Sequence, residues 1–241
     1  MSSYVERKAV KMSKKQAAEY VEHNKLYISR IYPNGTRTDS SNFDPVPLWN
    51  TGCQIVALNY QTSGEPMQLN KGKFLDNGGC GYVRKPQYLL DRKLMFDPTL
   101  PGSHVGGSKT LTIRVISAQS LPKPKSSLSG EVIDPYVQIR IHGGAADAPK
   151  VKTKVIDDNG FNPIWNEEFK FRLLLPELAL VQFSVYDKDA GFKDFIGQYT
   201  LPFKYLAQGY RHVTLENWEG EPMPLSTLFV YVSTRSEKSY G

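Results

Sequence analysis

Arg30 and Tyr32, in LYISRIYPNGTRTDSSNF (residues 26–43), are the first residues whose types and spacing suit chemistry. They close an apolar stretch of strand propensity in which Leu26, Ile28 and Ile31 are expected in a core. Pro33-Asn34-Gly35 then stops the strand, with one fixed φ followed by two residues that tolerate φ > 0. An arginine at a strand's carboxyl end lies where α/β barrels place ligands. Its planar fork of donors suits phosphate, at roughly 1.5–3 kcal/mol per charge-assisted hydrogen bond. Tyr32 adds a flat ring face. The competing reading is an ion pair between Arg30 and a nearby carboxylate such as Asp39.

A second group is acidic. Asp187 and Asp189 in YDKDAG stand i, i+2 at the end of a strand, so both carboxylates can turn toward one point. Asp134 in VIDPY and Asp194 in KDF also sit at strand ends. Calcium takes about 6–8 oxygens at about 2.3–2.6 Å, most of which converging loops with three or four carboxylates could supply. The same residues also suit turn aspartates bonding their own backbone. The glycine-rich NGGCGY at 77–82 lacks the lysine and following helix of a phosphate-binding loop and reads as backbone geometry. His23, His104, His142 and His212 are scattered, and no nucleophile–base pair is in view.

The elements that must position these residues fall into two textures. Residues 8–24 are predicted as one helix, with Val10, Ala17, Ala18 and Val21 apolar and Lys8, Lys11, Lys14 and Lys15 charged. The Arg30 strand comes next, then a short helical turn over 45–50 opened by Asp44, then CQIVALNY at 53–60, an apolar run of strand length expected to be covered on both faces. Helix and strand in alternation predict parallel βα units, too few for a closed barrel of eight, which needs about 250 residues. Residues 91–108 lose periodicity and gain Pro and Gly, the mark of a linker. Beyond it, strands alternate with period two at Leu111, Ile113 and Val115; at Val137, Ile139 and Ile141; at Phe169, Phe171 and Leu173; and at Val181, Phe183 and Val185. They continue over 152–156, 196–201, 212–215 and 228–232, which predicts an eight-stranded antiparallel β-sandwich.

Composition narrows the classes. With 40% apolar and 22% charged residues among 241, the chain is an ordinary globular one. It has no apolar run of membrane-span length, and MSSYVERKAVKMSKK is too charged for a signal-peptide core. Cys53 and Cys80 do not make a disulfide framework, and a reducing intracellular compartment is the expectation. The net charge of +6 is uneven: 14 Lys and Arg face 9 Asp and Glu in residues 1–107, against 16 and 15 beyond. That excess suits an anionic partner, whether a phosphate headgroup, a membrane surface or nucleic acid, or else a solvated basic helix.

SRIYPNGTRTDSSNFDPVPLWNTGCQIVALNYQT followed by LDNGGCGYVRKP resembles the Y half of the catalytic barrel of eukaryotic phosphoinositide-specific phospholipase C. FNPIWNEEFKF, LALVQFSVYDKDAGFKDFIGQ and QGYRHVTLEN resemble the C2 domain that comes after it. The delta type is the most similar, because there the chain ends almost directly after the C2 domain. The resemblance implies the C-terminal portion of a TIM-type (β/α)8 barrel over 1–92, a linker over 93–108, a C2 β-sandwich over 109–235 and a tail over 236–241. It implies that Ser3, Arg30 and Tyr32 contact the phosphorylated inositol headgroup, the arginine on a phosphate and the tyrosine ring against the sugar. It also matches Asp134, Asp187, Asp189 and Asp194 to the calcium-loop aspartates.

The departures are as specific. Thr36 stands where family members often carry a large apolar residue that dips into the bilayer, and PKPKSSLSGEVIDP offers serines and one glutamate where the first calcium loop carries Asn or Asp. Weaker insertion and reduced calcium affinity are expected. The family's acid and base histidines and the ligands of its catalytic calcium belong to the preceding X half, so the chain is expected to start inside the catalytic domain. The implied parent reaction is calcium-dependent hydrolysis of phosphatidylinositol 4,5-bisphosphate to diacylglycerol and inositol trisphosphate, through a cyclic phosphodiester. It would occur on the cytoplasmic, inner face of the plasma membrane, with the X half as partner. A noncatalytic module that binds anionic membrane is the alternative, and nucleic-acid binding rests on charge alone.

Overall fold

The computed structural model describes residues 1–100, 107–124, 132–188 and 193–237. Asp189 lies outside the described residues. Three parallel strands open the chain, β1 (Ser2–Val5), β2 (Ser29–Tyr32) and β3 (Ile55–Val56), in the order β1-β2-β3. Helices α1 (Glu6–Lys15) and α2 (Ala17–Leu26) join β1 to β2; α3 (Val46–Asn50) and α4 (Glu65–Lys73) lie before and after β3. Asp44 Oδ1 accepts the Val46 N–H at 3.0 Å, so the residue expected to open the turn at 45–50 does so.

Several sequence expectations need correction. The helix predicted over 8–24 is two, broken at Gln16, whose φ of −141° and ψ of 42° leave the helical region. Three residues earlier Ser13 Oγ donates to the Val10 carbonyl at 3.0 Å, a local bond that competes with the helix ladder. The break lets Ala9, Ala17, Tyr20 and Val21 all turn inward. Leu26 and Ile28 are not core, being 52% and 50% exposed: Leu26 ends α2, and Ile28, just before β2, falls on that strand's outward side by alternation. The strand expected over 53–60 shrinks to two residues with Ile55 exposed, because Asn42, not a neighbouring strand, holds the chain beyond Val56. The Asn42 side chain accepts the Asn59 N–H at 2.7 Å and donates to the Asn59 carbonyl at 3.0 Å. Neither Asn34 nor Gly35 takes a positive φ; in this loop that conformation falls at Ser40.

The second half is an eight-stranded antiparallel sheet, β4 (Lys109–Gln119), β5 (Pro135–His142), β6 (Lys150–Lys152), β7 (Ile164–Leu173), β8 (Leu180–Lys188), β9 (Lys193–Pro202), β10 (Gly209–Glu216) and β11 (Pro222–Ser236), ordered β6-β5-β8-β9-β10-β11-β4-β7. β9 and β10 pair at one position, Gln198 with Glu216, so the sheet folds over there into two four-stranded layers. Leu111, Ile113 and Val115 of one layer meet Val137, Ile139, Val181, Phe183 and Val185 of the other in one core. Strands such as β11 bury one side chain in two, whereas β5 and β8 are buried on both faces, with α4 of the first half packed against β8 through Leu69–Leu180 and Gln68–Gln182.

The two halves share packing. Leu180 joins Val46, Trp49 and Leu69 in one cluster; Leu175 and Leu178 join Val21, Tyr88 and Phe96 in another. Phe96 is fully buried, so the aperiodic stretch after residue 91 is pinned between them. A polar seam runs alongside. Arg140 meets Glu65 at 2.6 Å, Asn50 Nδ2 donates to the Gly143 carbonyl at 2.7 Å, and Lys71 meets Glu216 at 2.6 Å. Gln182 links His142, at 3.0 Å, to Gln68, at 3.2 Å. Burial pushes the His142 imidazole below its ordinary range, against the Gln182 hydrogen bond and Glu65; Arg140 adds to the depression, and Asp44 opposes it. A depressed histidine stabilises the fold above its unfolded value, about 6.5, and that stability is lost as pH falls toward the folded value. Urea midpoints should therefore drop more steeply between pH 7 and 5 (about) in the wild type than in H142Q; parallel pH profiles would remove His142 from the account.

Candidate headgroup site on the parallel sheet

The helices and the Ile31, Tyr20 and Leu48 cluster cover one face of the parallel sheet; the other is open. β1 and β2 pair in register, Ser3 opposite Arg30 and Val5 opposite Tyr32, and Arg30 is also opposite Ile55 of β3. Ser29 and Ile31 point into the helices, so Arg30 and Tyr32 point out. Ser3 is exposed beside Arg30. In a (β/α)8 barrel the helices lie outside, so this open face corresponds to the barrel interior.

The Arg30 guanidinium lies over the Tyr32 ring, 5.3 Å from its centroid, and among the described residues it makes no hydrogen bond or ion pair. The expected alternative, a pair with Asp39, is not formed. The Ser41 backbone N–H donates to Asp39 Oδ1 at 3.1 Å and holds that carboxyl below the usual carboxylate range. The structural arginine of this loop is Arg37. Its Nε and Nη2 grip Glu6 at 2.9 and 2.7 Å, its Nη1 donates to Ser41 Oγ at 2.9 Å, and the Glu6 hydrogen bond raises its pKa. Glu6 is buried and also accepts the Asn34 N–H at 3.2 Å, so the loop after Tyr32 is tied to the start of α1. An anchored loop and a free guanidinium braced on an aromatic face make a preorganised receptor for a planar or tetrahedral oxyanion.

The acidic group is placed differently. Asp134, Asp187 and Asp194 gather at one end of the second sheet, with Asp187 in register with Pro135 on one side and Asp194 on the other. Asp187 is 1% exposed, and its Oδ1 accepts the Asp134 N–H at 2.7 Å; Asp134 Oδ1 in turn accepts the Asp158 N–H at 2.7 Å. Two carboxylates are thus committed to backbone donors, as turn aspartates are. Among the described residues no three His, Cys, Asp or Glu side chains form a group able to hold a metal. Cys53, buried, and Cys80, exposed, are both free, and burial pushes the Cys53 thiol up.

Residues 1–88 match the family described as "Phosphatidylinositol-specific phospholipase C, Y domain", and residues 109–217 match the C2 domain. The chain belongs to the phosphoinositide-specific phospholipase C family. It is 51% identical to 1-phosphatidylinositol 4,5-bisphosphate phosphodiesterase delta-3-A of Danio rerio, over 96% of this chain and 30% of that protein. It is also 45% identical to "Inactive phospholipase C-like protein 1" of Homo sapiens, over 100% of this chain and 22% of that one. The crystal structure of L. pealei PLC21 superposes with a TM-score of 0.88 at 37% identity, covering 99% of this chain and 30% of that one. The chain thus spans under a third of the relatives it matches. Its parallel sheet is part of a TIM-type barrel, and its antiparallel sheet is a C2 domain. No helix among the described residues is long and apolar enough to cross a membrane.

Sequence reasoning missed β1, the Glu6–Arg37 tie and the polar seam between the Y region and the C2 domain. Only one of these left a local signal: Gly72 in the middle of KGK, since a glycine inside a helix usually has a packing reason.

Proposed function

We propose that this chain supplies the headgroup-contacting wall and the membrane-docking C2 domain of a phosphoinositide-specific phospholipase C. The complete enzyme hydrolyses phosphatidylinositol 4,5-bisphosphate to diacylglycerol and inositol trisphosphate on the cytoplasmic face of the plasma membrane. The observation that carries this is Arg30, unpaired among the described residues and stacked on Tyr32 with Ser3 in register, on the sheet face that a closed barrel turns inward. Arg30 grips a phosphate, Tyr32 packs on the sugar, and Ser3 offers a hydroxyl to the same group. The X half, with the acid and base histidines and the catalytic calcium, completes the barrel across the open edges of β1 and β3. When bound, that calcium offsets negative charge at the reacting phosphate.

Residues 1–241 alone should give no turnover of labelled phosphatidylinositol 4,5-bisphosphate, and mixing in the X half should restore it. Hydrolysis by the isolated chain would overturn the claim that the acid and base lie elsewhere. The similarity to a relative named inactive supports a second reading, a noncatalytic module that binds anionic membrane. Sedimentation with anionic vesicles, together with turnover by the full-length protein, separates the two: binding with no turnover selects the module.

A further inference from the structure

A recess of about 260 Å³ lies between the end of α4, the segment 83–87 and the C2 domain, away from Arg30. Four cations, Lys73, Arg84, Lys85 and Lys204, face two carboxylates, Asp76 and Glu177. Lys204 is spent on Asp76, at 2.5 Å, and Lys85 donates to the Asn24 carbonyl at 2.9 Å. Among the described residues Lys73, Arg84 and Glu177 make no hydrogen bond or ion pair. Lys73 only rests its ammonium over Trp49, 5.9 Å from the ring centroid. Burial pushes Lys73 down to about 8, with Asp76 opposing and Lys204 reinforcing. Even with Glu177 turned onto one free cation, the recess keeps a surplus of two positive charges. Such a surplus in a half-enclosed site is costly unless an anion enters, and the volume is several times the roughly 30 Å³ of a water in the liquid.

We infer that this recess is a phosphate-class oxyanion site, with Lys73 and Arg84 as its ligating cations, which takes a free phosphate ion or the phosphate of a soluble inositol phosphate. Lys73 and Arg84, both from the Y region, are its free cations, and the C2 domain lines the opposite wall with Glu177 and the Asp76-paired Lys204. The site does not depend on the headgroup reading of Arg30.

The test is isothermal titration of the R30Q chain, with the sheet-face site removed, against inorganic phosphate and against inositol 1,4,5-trisphosphate. Saturable binding of either is expected, weakened at least about tenfold in R30Q/R84Q and in R30Q/K73Q. Phosphate binding assigns the site to the free ion, and trisphosphate binding without phosphate binding assigns it to the sugar phosphate. Titrated with sulfate, whose charge is constant, the site should weaken as pH rises through about 8, because binding then requires Lys73 to take up a proton, and R30Q/K73Q should lack that slope. Arg84 is exposed, so R30Q/R84Q should fold even if R30Q/K73Q does not. No saturable binding to R30Q, or unchanged affinity in R30Q/R84Q, overturns the proposal.

Discussion

Arg30→Gln should weaken inositol trisphosphate binding, and kcat/KM of the completed enzyme, by roughly 30- to 1,000-fold, the loss of a bidentate charge-assisted contact worth about 2–4 kcal/mol. The fold should not notice. Arg30 is exposed and has no ion pair among the described residues, so its removal should move the urea midpoint by no more than about 0.5 kcal/mol. Arg37→Gln makes the opposite pattern. It leaves the buried Glu6 carboxylate without its fork partner and unties residues 33–42, so about 1–3 kcal/mol of stability should go, while Arg30 keeps its donors. R30K retains charge but not the planar fork and should fall between wild type and R30Q. The pair of variants separates a ligand-binding arginine from a structural one. If R30Q binds trisphosphate as the wild type does while R37Q does not, the two roles are reversed and the headgroup wall is wrong.

That distinction could not be read from the sequence. Arg30 and Arg37 stand seven residues apart beside the same turn, and what decides between them is Glu6, brought close only when β1 pairs with β2. The C2 domain was far more legible, because antiparallel strands that bury one face write a period-two pattern directly into the chain, as in Leu111, Ile113 and Val115. The barrel part was less so. Leu26 and Ile28 read as core because their types are apolar, yet they lie on the rim and open face of a sheet with helices on one side only. Four aspartates at strand ends read as a possible metal shell; three of them are described, and Asp134 and Asp187 have backbone amides as partners. Spacing could not choose between a loop that holds an ion and one that holds itself.

The seam between the two halves yields the other large effect. In an exposed helix Gly→Ala stabilises by about 1 kcal/mol. At Gly72 the sign should reverse. A Cβ there would stand 2.5 Å from Thr200 Cγ2, 2.8 Å from its Cβ and 2.8 Å from its carbonyl oxygen, and the last is backbone of β9 that cannot swing away. Either α4 backs off or the strand bends, and α4 also carries Glu65, Gln68 and Lys71, the partners of Arg140, Gln182 and Glu216. Overpacking of about 1–3 kcal/mol and one or two weakened seam contacts outweigh the helix gain, so Gly72→Ala should cost about 2–4 kcal/mol overall. Urea unfolding measures it. Thr200→Ala removes Cγ2 but leaves the carbonyl, so G72A/T200A should recover only part of the loss, with a non-zero coupling between the sites. A stabilised G72A would mean that the seam yields without resistance and that the Y region and C2 domain move independently of each other.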